Sequence, residues 1–369
     1  MRAGEGGLPG PRLLVDLGKI EANARTVCER LGPGVGVVGV TKVTCGNPRV
    51  AAAMVAGGVV ALGDSRVSNL EGLRRAGLDV PLWLLRAPAP AAAPDAVRAA
   101  DVSLNSEVET VRALDDAARA AEVVHGIVIM VDLGDLREGI LPEELPAVLE
   151  TVLPLTHVRI VGIGTNLTCF GGLVPTAENL GELVQLADYA EEKAGRPLHV
   201  SGGNSSTLEL ALTGGMPSRI NGLRVGESLL LGVSTIDRAP LPGLYQDAFV
   251  LQAPVIECRV KPSMPQGACA EDAFGNRPVF GDRGPRRRAV CALGRQDTVP
   301  EGLRPMEAAV EILGASSDHL LLDVDDMAAP PNIGDTLSFI PGYGGLLAAC
   351  TSSYVEKIYV GDHVDELRS

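Results

Sequence analysis

The sequence predicts an α/β fold, a (β/α)8 barrel of the TIM type followed by a mainly β C-terminal domain. Two observations lead to this prediction. From about residue 35 to 235, short apolar segments alternate with Ala- and Leu-rich segments of helical periodicity. After about residue 236, prolines and glycines become frequent and the helical pattern fades. The predicted domains are therefore 12–235 for the barrel and 236–369, with 1–11, for the β domain.

Eight apolar segments supply the predicted barrel strands. They are 35–40, 59–62, 81–85, 101–103, 126–131, 158–163, 198–200 and 220–225. Strands that alternate with helices form parallel βαβ units, and eight such units favour a closed barrel. An earlier strand-like segment, 13–16, could belong either to the edge of the barrel or to the second domain. The predicted strands of the β domain are 249–260, 288–293, 319–324 and 336–340.

Composition excludes several classes of partner. The net charge of −14 argues against nucleic acid, because neutralising phosphates requires clustered Lys and Arg. Residues 1–10 contain no apolar signal core, and the longest apolar segment, about 50–62, is too short to span a bilayer, so we expect no membrane partner. The seven dispersed cysteines and five histidines show no metal-binding spacing, which predicts free thiols, no metal and a cytoplasmic location.

Lys42 follows the first apolar barrel strand and raises the first hypothesis about chemistry. A lysine at the end of a buried strand is costly, and burial lowers its pKa. The neutral amine can form a Schiff base with an aldehyde, which suggests pyridoxal phosphate as a cofactor. The alternative is that the side chain extends to solvent, and this segment alone favours that alternative.

Polar residues follow every predicted barrel strand. They are Lys42, Asp64–Arg66, Arg86, Asn105–Ser106, Asp132 with Arg137, Thr165–Asn166, Ser201–Ser206 and Arg224–Glu227. Each is ordinary by itself, because loops are polar. Active sites of such barrels lie at the carboxyl ends of the strands, so together these residues predict a ring of charged and hydrogen-bonding groups around one mouth.

Two parts of this group of polar residues suggest how an anionic aromatic compound could bind. The segment 201–206, Ser-Gly-Gly-Asn-Ser-Ser, allows close backbone approach and a helix cap, as in a phosphate-binding loop, although an ordinary turn would have the same composition. Arg224 lies within an apolar strand and needs a buried partner. That partner is either a pyridine nitrogen or, in a structural ion pair, Glu227 or Asp64.

Several ordered motifs together resemble the alanine racemase family of pyridoxal-phosphate enzymes, and within it the ornithine racemase branch. The matching segments are Val40–Lys42, Val131–Gly139, Gly164–Cys169, Gly202–Ser206 and Leu223–Glu227. The resemblance implies a barrel followed by a β domain, Lys42 as cofactor lysine and catalytic base, and Arg224 facing the ring nitrogen. It also implies a homodimer in which the β domain of one subunit completes the site of the other.

The resemblance also implies a set of cofactor-binding residues. These are Lys42, Arg137, Asn166, Asn204, Ser205, Arg224, Gly226, Glu227 and Tyr354. Of them, Asn204, Ser205 and Gly226 would bind the phosphate. Arg137 would lie near both the substrate and the cofactor.

The implied activity is interconversion of the L and D forms of a free amino acid, with ornithine or another basic amino acid as the expected substrate. Alanine racemases use a tyrosine as second base, but the matching turn here, 292–297, has none. The candidates for the second base are Asp297, His319, Cys350 and Tyr354. Asp297, Asp318, Cys350 and Arg137 are the predicted substrate-binding residues, and Asp297 could bind a cationic side chain.

Other activities remain open at this point. A decarboxylase or aldolase with the same cofactor and fold would have a similar sequence pattern. A non-catalytic pyridoxal-phosphate-binding protein is a further alternative, but such proteins are usually a barrel alone, without a β extension.

Overall fold

The structure, a computed structural model, describes residues 10–277 and 279–361. These residues divide into a barrel unit, 17–246, and a β unit that consists of 10–16, 247–277 and 279–361. The first strand, β1 (Arg12–Asp16), pairs with two strands of the β unit, which answers the question that the sequence left open. The structural divisions lie at 16/17 and 246/247, whereas the sequence prediction placed the domain boundaries at 12 and 235.

Eight parallel strands close the barrel, as predicted. They are β2 (Gly36–Val40), β3 (Ala61–Asp64), β4 (Leu82–Leu84), β5 (Val102–Asn105), β6 (His125–Met130), β7 (Val158–Gly164), β8 (His199–Ser201) and β9 (Gly222–Val225). Each strand pairs with the next, and β9 returns to β2 with Arg224 opposite Val38. The residues that follow these strands consequently surround one opening at the carboxyl end of the barrel.

The barrel unit contains nine α-helices. They are α1 (Leu17–Leu31), α2 (Pro48–Ala56), α3 (Val67–Arg75), α4 (Ala93–Ala99), α5 (Val108–Ala120), α6 (Leu145–Val152), α7 (Ala177–Ala194), α8 (Leu208–Leu212) and α9 (Glu227–Leu231). Local chemistry sets several of their ends. The Asn47 side chain accepts hydrogen bonds from two amides of α2, and Thr176 caps α7. Gly195, with a φ of 65°, ends α7 in the left-handed conformation.

The barrel interior is filled by side chains. A buried cluster is built mainly from aliphatic residues on β2 to β6, together with one tryptophan: Val38, Ala61, Trp83, Leu104, Val128 and Met130. Trp83 on β4 also contacts His199 on β8 edge to face, with ring centroids 5.5 Å apart. Because β4 and β8 lie on different sides of the barrel, this contact crosses its interior. A packed interior of this kind is typical of such barrels, whose ligands bind at the mouth.

The β unit contains one mixed sheet and one helix among its described residues. Its remaining strands are β10 (Phe249–Pro262), β11 (Pro285–Cys291), β12 (Leu303–Pro305), β13 (Glu311–Ala315), β14 (Leu320–Asp323), β15 (Thr336–Pro341) and β16 (Glu356–Val360), and its helix is α10 (Tyr343–Thr351). The order β12-β15-β10-β11-β14-β13 is antiparallel, while β1 joins β10 to β16. No helix within the described ranges is both long enough and apolar enough to cross a membrane.

Candidate active site

Eight of the predicted site residues lie in the barrel unit, at or just beyond the carboxyl ends of strands. They are Lys42 after β2, Arg137 after β6, Asn166 after β7, Asn204 and Ser205 after β8, and Arg224, Gly226 and Glu227 at the end of β9. The closed barrel places these strand ends around one mouth. We refer to this group of residues as the barrel rim.

A buried carboxylate fixes the turn that carries Lys42. Thr41 donates a hydrogen bond from Oγ1 to Asp64 Oδ2 over 2.8 Å, and its amide donates to Gly63 O. Asp64 is fully buried and also accepts hydrogen bonds from the Arg66 amide and Asn69 Nδ2. Burial raises the pKa of Asp64, and these hydrogen bonds act in the opposite direction. Asp64 is therefore a structural residue that orients the segment before Lys42.

Lys42 is exposed, so the hypothesis of a buried lysine was wrong and the alternative, a side chain that extends to solvent, was right. The residue lies on a short 3-10 turn, Lys42–Thr44, beyond the last residue of β2. The chain contains five lysines, and the other two in the barrel unit lie on α1 and α7, at positions 19 and 193. Lys42 is thus the lysine that the barrel unit places at a strand end.

Glu227 lies within electrostatic reach of Lys42. Burial raises the pKa of Glu227, while the charges of Arg238 and Lys42 act to lower it. The carboxylate pairs directly with Arg238. Lys42 and Glu227 therefore belong to the same part of the rim, as expected from the pairing of β2 with β9.

Arg224 is buried, with 3% of its surface exposed, and its hydrogen bonds go to uncharged acceptors. Nη1 donates to Ser201 Oγ, and Nη2 donates to Thr165 O over 2.6 Å and to Asn166 Oδ1 over 2.8 Å. The alternative of an ion pair with Glu227 or Asp64 was wrong, because these carboxylates bond elsewhere. Burial lowers the pKa of Arg224 to about 10, which leaves the guanidinium protonated at neutral pH.

Two carboxylates that the sequence analysis did not single out organise the loops after β6 and β7. Glu138 pairs with Arg137 and accepts a hydrogen bond from Asn166 Nδ2 over 2.6 Å. Asp135, which is 1% exposed, accepts hydrogen bonds from the amides of Phe170 and Gly171 at 3.1 Å each. Their place in the motif 131–139 was the only available signal, because Asn166, Phe170 and Gly171 lie 28 to 36 residues away from them in sequence.

The segment after β8 forms a polar cradle with the end of β9. Ser205 Oγ accepts hydrogen bonds from the amides of Gly226 and Ser228, at 3.2 and 3.4 Å. Both of these bonds use the lone pairs of the hydroxyl, so its proton is available for an anionic oxygen. A Cβ at Gly226 would lie 2.9 Å from Val40 Cβ, and Gly203 has a φ of +113°. These two positions therefore require glycine.

The other five predicted residues lie in the β unit. Asp297 is buried and accepts a hydrogen bond from Ser352 Oγ over 2.8 Å. Asp318 is exposed and accepts hydrogen bonds from Ser317 Oγ and Gln296 Nε2. His319 is also exposed. The last two residues are Cys350, which is half-buried near the end of α10, and Tyr354, which is 70% exposed.

Comparison with known proteins identifies the family. The family model described as "Alanine racemase, N-terminal domain" matches residues 15–233, more than half of the chain. The chain belongs to the alanine racemase family. The matched region contains all eight barrel strands, and so includes every rim residue described above.

Two relatives of this alanine racemase family member match it along nearly its whole length. The ornithine racemase of Acetoanaerobium sticklandii is 41% identical over 352 residues, which cover 94% of this chain and 99% of the relative. The lysine racemase of Thermotoga maritima is 40% identical over 351 residues, which cover 95% and 98%.

Solved structures confirm the fold. The alanine racemase of Streptomyces coelicolor A3(2) superposes with a TM-score of 0.75 at 20% identity, covering 96% of this chain and 98% of that one. The alanine racemase of Bartonella henselae, solved with covalently bound pyridoxal phosphate, gives a TM-score of 0.73 at 18% identity, covering 95% and 100%. At these identities the similarity is evidence for the fold alone.

The rim residues fit pyridoxal phosphate, a flat aldehyde with an anionic phosphate. The cradle of Ser205 and Gly226 offers a hydroxyl proton and glycine-lined space to an anion. Arg224 offers a buried cation without a directly bound carboxylate among the described residues. The buried hydroxyl of Thr165 beside it has no hydrogen-bond partner within the described chain. Lys42 adds an accessible amine to the same rim.

Proposed function

We propose that this protein is a pyridoxal-phosphate-dependent racemase that interconverts the L and D forms of a basic amino acid, with ornithine or lysine as the expected substrate. The observation that supports the chemistry is the rim itself, where one amine, one buried guanidinium and a glycine–serine cradle lie at the carboxyl ends of neighbouring strands. The preference for a basic substrate rests on two relatives named ornithine racemase and lysine racemase, which align along almost the entire chain.

Four of the rim residues have a defined task in this proposal. The cofactor, when bound, would supply an electron-withdrawing ring that makes the α-hydrogen of an amino acid acidic. Lys42 would hold the cofactor and then carry a proton to or from the α-carbon on one face. Ser205 and Gly226 would bind the phosphate. Arg224, which stays protonated, would donate a hydrogen bond to the ring nitrogen and leave that nitrogen without a proton.

Inversion at the α-carbon requires a second proton carrier on the opposite face. We propose that the β unit supplies it, with Asp297 and His319 as the candidates and with Asp318, Cys350 and Tyr354 as neighbours of the substrate or cofactor. We further propose a homodimer in which this group serves the rim of the partner subunit. We also propose a cytoplasmic location, because the seven cysteines form no disulfide among the described residues.

Covalent trapping tests the cofactor proposal. The purified protein should be yellow after incubation with pyridoxal phosphate, and borohydride should attach the cofactor to Lys42, as located by peptide mass spectrometry. Lys42→Ala should abolish the attachment, whereas Lys193→Ala, which removes an exposed lysine on α7, should retain it. Attachment in Lys42→Ala at the level of the control would contradict the assignment.

Product analysis tests the reaction. Chiral chromatography should detect D-ornithine or D-lysine formed from the L isomer, without release of carbon dioxide or an aldehyde. Either of those products would favour a decarboxylase or an aldolase instead. If Asp297 is the second proton carrier, Lys42→Ala and Asp297→Ala are both inactive. Mixing the two proteins then tests the shared site, because a mixed dimer would contain one intact site and should regain part of the activity.

A further inference from the structure

We propose that Glu138 is a positioning residue for the cofactor site, and that its carboxylate is the shared counter-charge of two arginines. It contacts Arg137 directly and reaches Arg224 through the side-chain amide of Asn166. This inference rests on the proposed function, because its consequence is the orientation of Arg224 toward a bound cofactor.

The first step is the unusual environment of Arg224. A guanidinium that is 97% buried normally has a carboxylate partner, because an uncompensated buried charge is costly. The three acceptors of Arg224 are instead a hydroxyl, a carbonyl and an amide oxygen. Of the acidic side chains, Glu138 has the strongest electrostatic effect on Arg224, and it raises the pKa of the guanidinium against the effect of burial. The compensating charge is therefore that of Glu138, which bonds to Asn166 and not to Arg224 itself.

The second step is the orientation of Asn166. Its Oδ1 accepts a hydrogen bond from Arg224 Nη2 over 2.8 Å, while its Nδ2 donates to Glu138 Oε1 over 2.6 Å. Rotating the amide by half a turn would place two donors against each other at Arg224 and two acceptors against each other at Glu138. The carboxylate thus selects the amide orientation that presents an oxygen to the guanidinium.

The third step is the second arginine. Glu138 forms an ion pair with Arg137, and the side chains of both are about one-third exposed, at 35% and 34%. The charge of Arg137 acts to lower the pKa of Arg224, so the two guanidinium groups repel each other. Asp135 anchors the loop that carries Arg137 and Glu138 by binding the amides of Phe170 and Gly171. The loop is therefore fixed in the position that lets one carboxylate serve both cations.

Glu138→Gln tests this proposal, because glutamine keeps the shape and removes the charge. Affinity for pyridoxal phosphate, measured by titrating the apoprotein, should fall ~10-fold, since hydrogen bonds to charged groups are worth roughly that factor or more. The pH at which the absorbance of the bound cofactor changes should move downward, because the local field becomes more positive. Glu143→Gln, an equal charge change at an exposed position on the same connection, is the matched control and should leave both quantities unchanged.

A double-mutant cycle with Asn166→Leu tests the route. If Glu138 acts on Arg224 through Asn166, the effects of the two substitutions should not add. The double variant Glu138→Gln/Asn166→Leu should then bind pyridoxal phosphate less than ~3-fold more weakly than the single variant Asn166→Leu. Should Glu138→Gln fail to fold by circular dichroism, Glu138→Asp keeps the charge but shortens the reach and should give an intermediate loss. Wild-type affinity and titration in Glu138→Gln would overturn the inference. A wild-type protein that binds no cofactor would instead refute the proposed function.

Discussion

The barrel rim and the exposed turn at residues 316–319 of the β unit differ in how their polar side chains are held. At the rim, Arg224 and Asn166 are 58 residues apart in sequence and Thr41 and Asp64 are 23 apart, yet both pairs form buried hydrogen bonds. In the turn, Asp318 bonds to Ser317, one residue away, and His319 bonds to Ser316, three residues away, both at exposed positions. One further exposed bond, of 3.3 Å, comes to Asp318 from Gln296. Barrel closure thus fixes polar groups by buried long-range contacts, whereas the surface turn fixes them by exposed and mainly local contacts.

The largest expected effect of this difference concerns Arg224. Arg224→Leu removes the donor to three buried acceptors, so we expect the free energy of unfolding of the apoprotein to fall by about 3 kcal/mol. Arg98→Leu, which removes an exposed arginine that pairs with Glu71 and Asp95 on the surface, should cost less than about 1 kcal/mol. Denaturant unfolding measures both, and equal losses would contradict the comparison.

The pH dependence of stability should also arise largely in the barrel unit. Burial lowers the pKa of His125 and of His199 to about 4, against about 6.5 in the unfolded chain. A lowered folded-state pKa means that the stability is present above pH 6.5 and is lost as the pH falls toward 4. Each histidine should cost about 2 kcal/mol between pH 7 and pH 5 by linkage.

The test compares slopes of the free energy of unfolding against pH. His125→Asn should flatten the decline between pH 7 and pH 5. The same substitution at His319, which is exposed in the β unit, should leave the decline in place. A His125→Asn profile parallel to that of the wild type would show that this buried imidazole is not the titrating group.

Much of the fold and rim could be predicted from the sequence for a physical reason. Alternation of strands and helices implies a closed parallel barrel, and closure alone brings every strand end to one mouth. Lys42, Asn166, Ser205 and Arg224 were therefore found at the rim without knowledge of any side-chain contact. The structure agrees on their placement, while their roles in binding and catalysis remain our proposal.

Three features could not be predicted from the sequence. They depend on contacts between distant segments of the chain or on the residue at which a strand ends. β1 belongs to the sheet of the β unit because it pairs with β10 and β16, which lie more than 230 residues later in the chain. The exposure of Lys42 depends on its position two residues beyond the end of β2, a boundary that sequence patterns do not resolve. The contact of Glu138 with Asn166 requires the loop conformations that Asp135 fixes.

Substrate preference should depend on the β unit. Asp297 is buried, and among the described residues its side-chain oxygens have one hydrogen-bond donor, Ser352. If it binds the cationic end of the substrate, Asp297→Asn should raise KM for ornithine ~10-fold and leave KM for alanine nearly unchanged, as expected for the loss of one charged partner. Asp318→Asn, at an exposed position, should have the smaller effect. Equal increases for both substrates would remove Asp297 as the specificity residue.

The smallest effect comes from the same substitution made in both regions. Ser205→Ala at the rim leaves the amides of Gly226 and Ser228 without their acceptor in a buried setting, so unfolding of the apoprotein should become easier by about 1–2 kcal/mol. Ser316→Ala in the β unit removes contacts to His319 at an exposed turn, where water replaces them, so the expected cost is below about 0.5 kcal/mol. Both variants lose one hydroxyl, and only the surroundings differ. If thermal or denaturant unfolding gave equal losses, long-range burial would not be what distinguishes the rim from the turn.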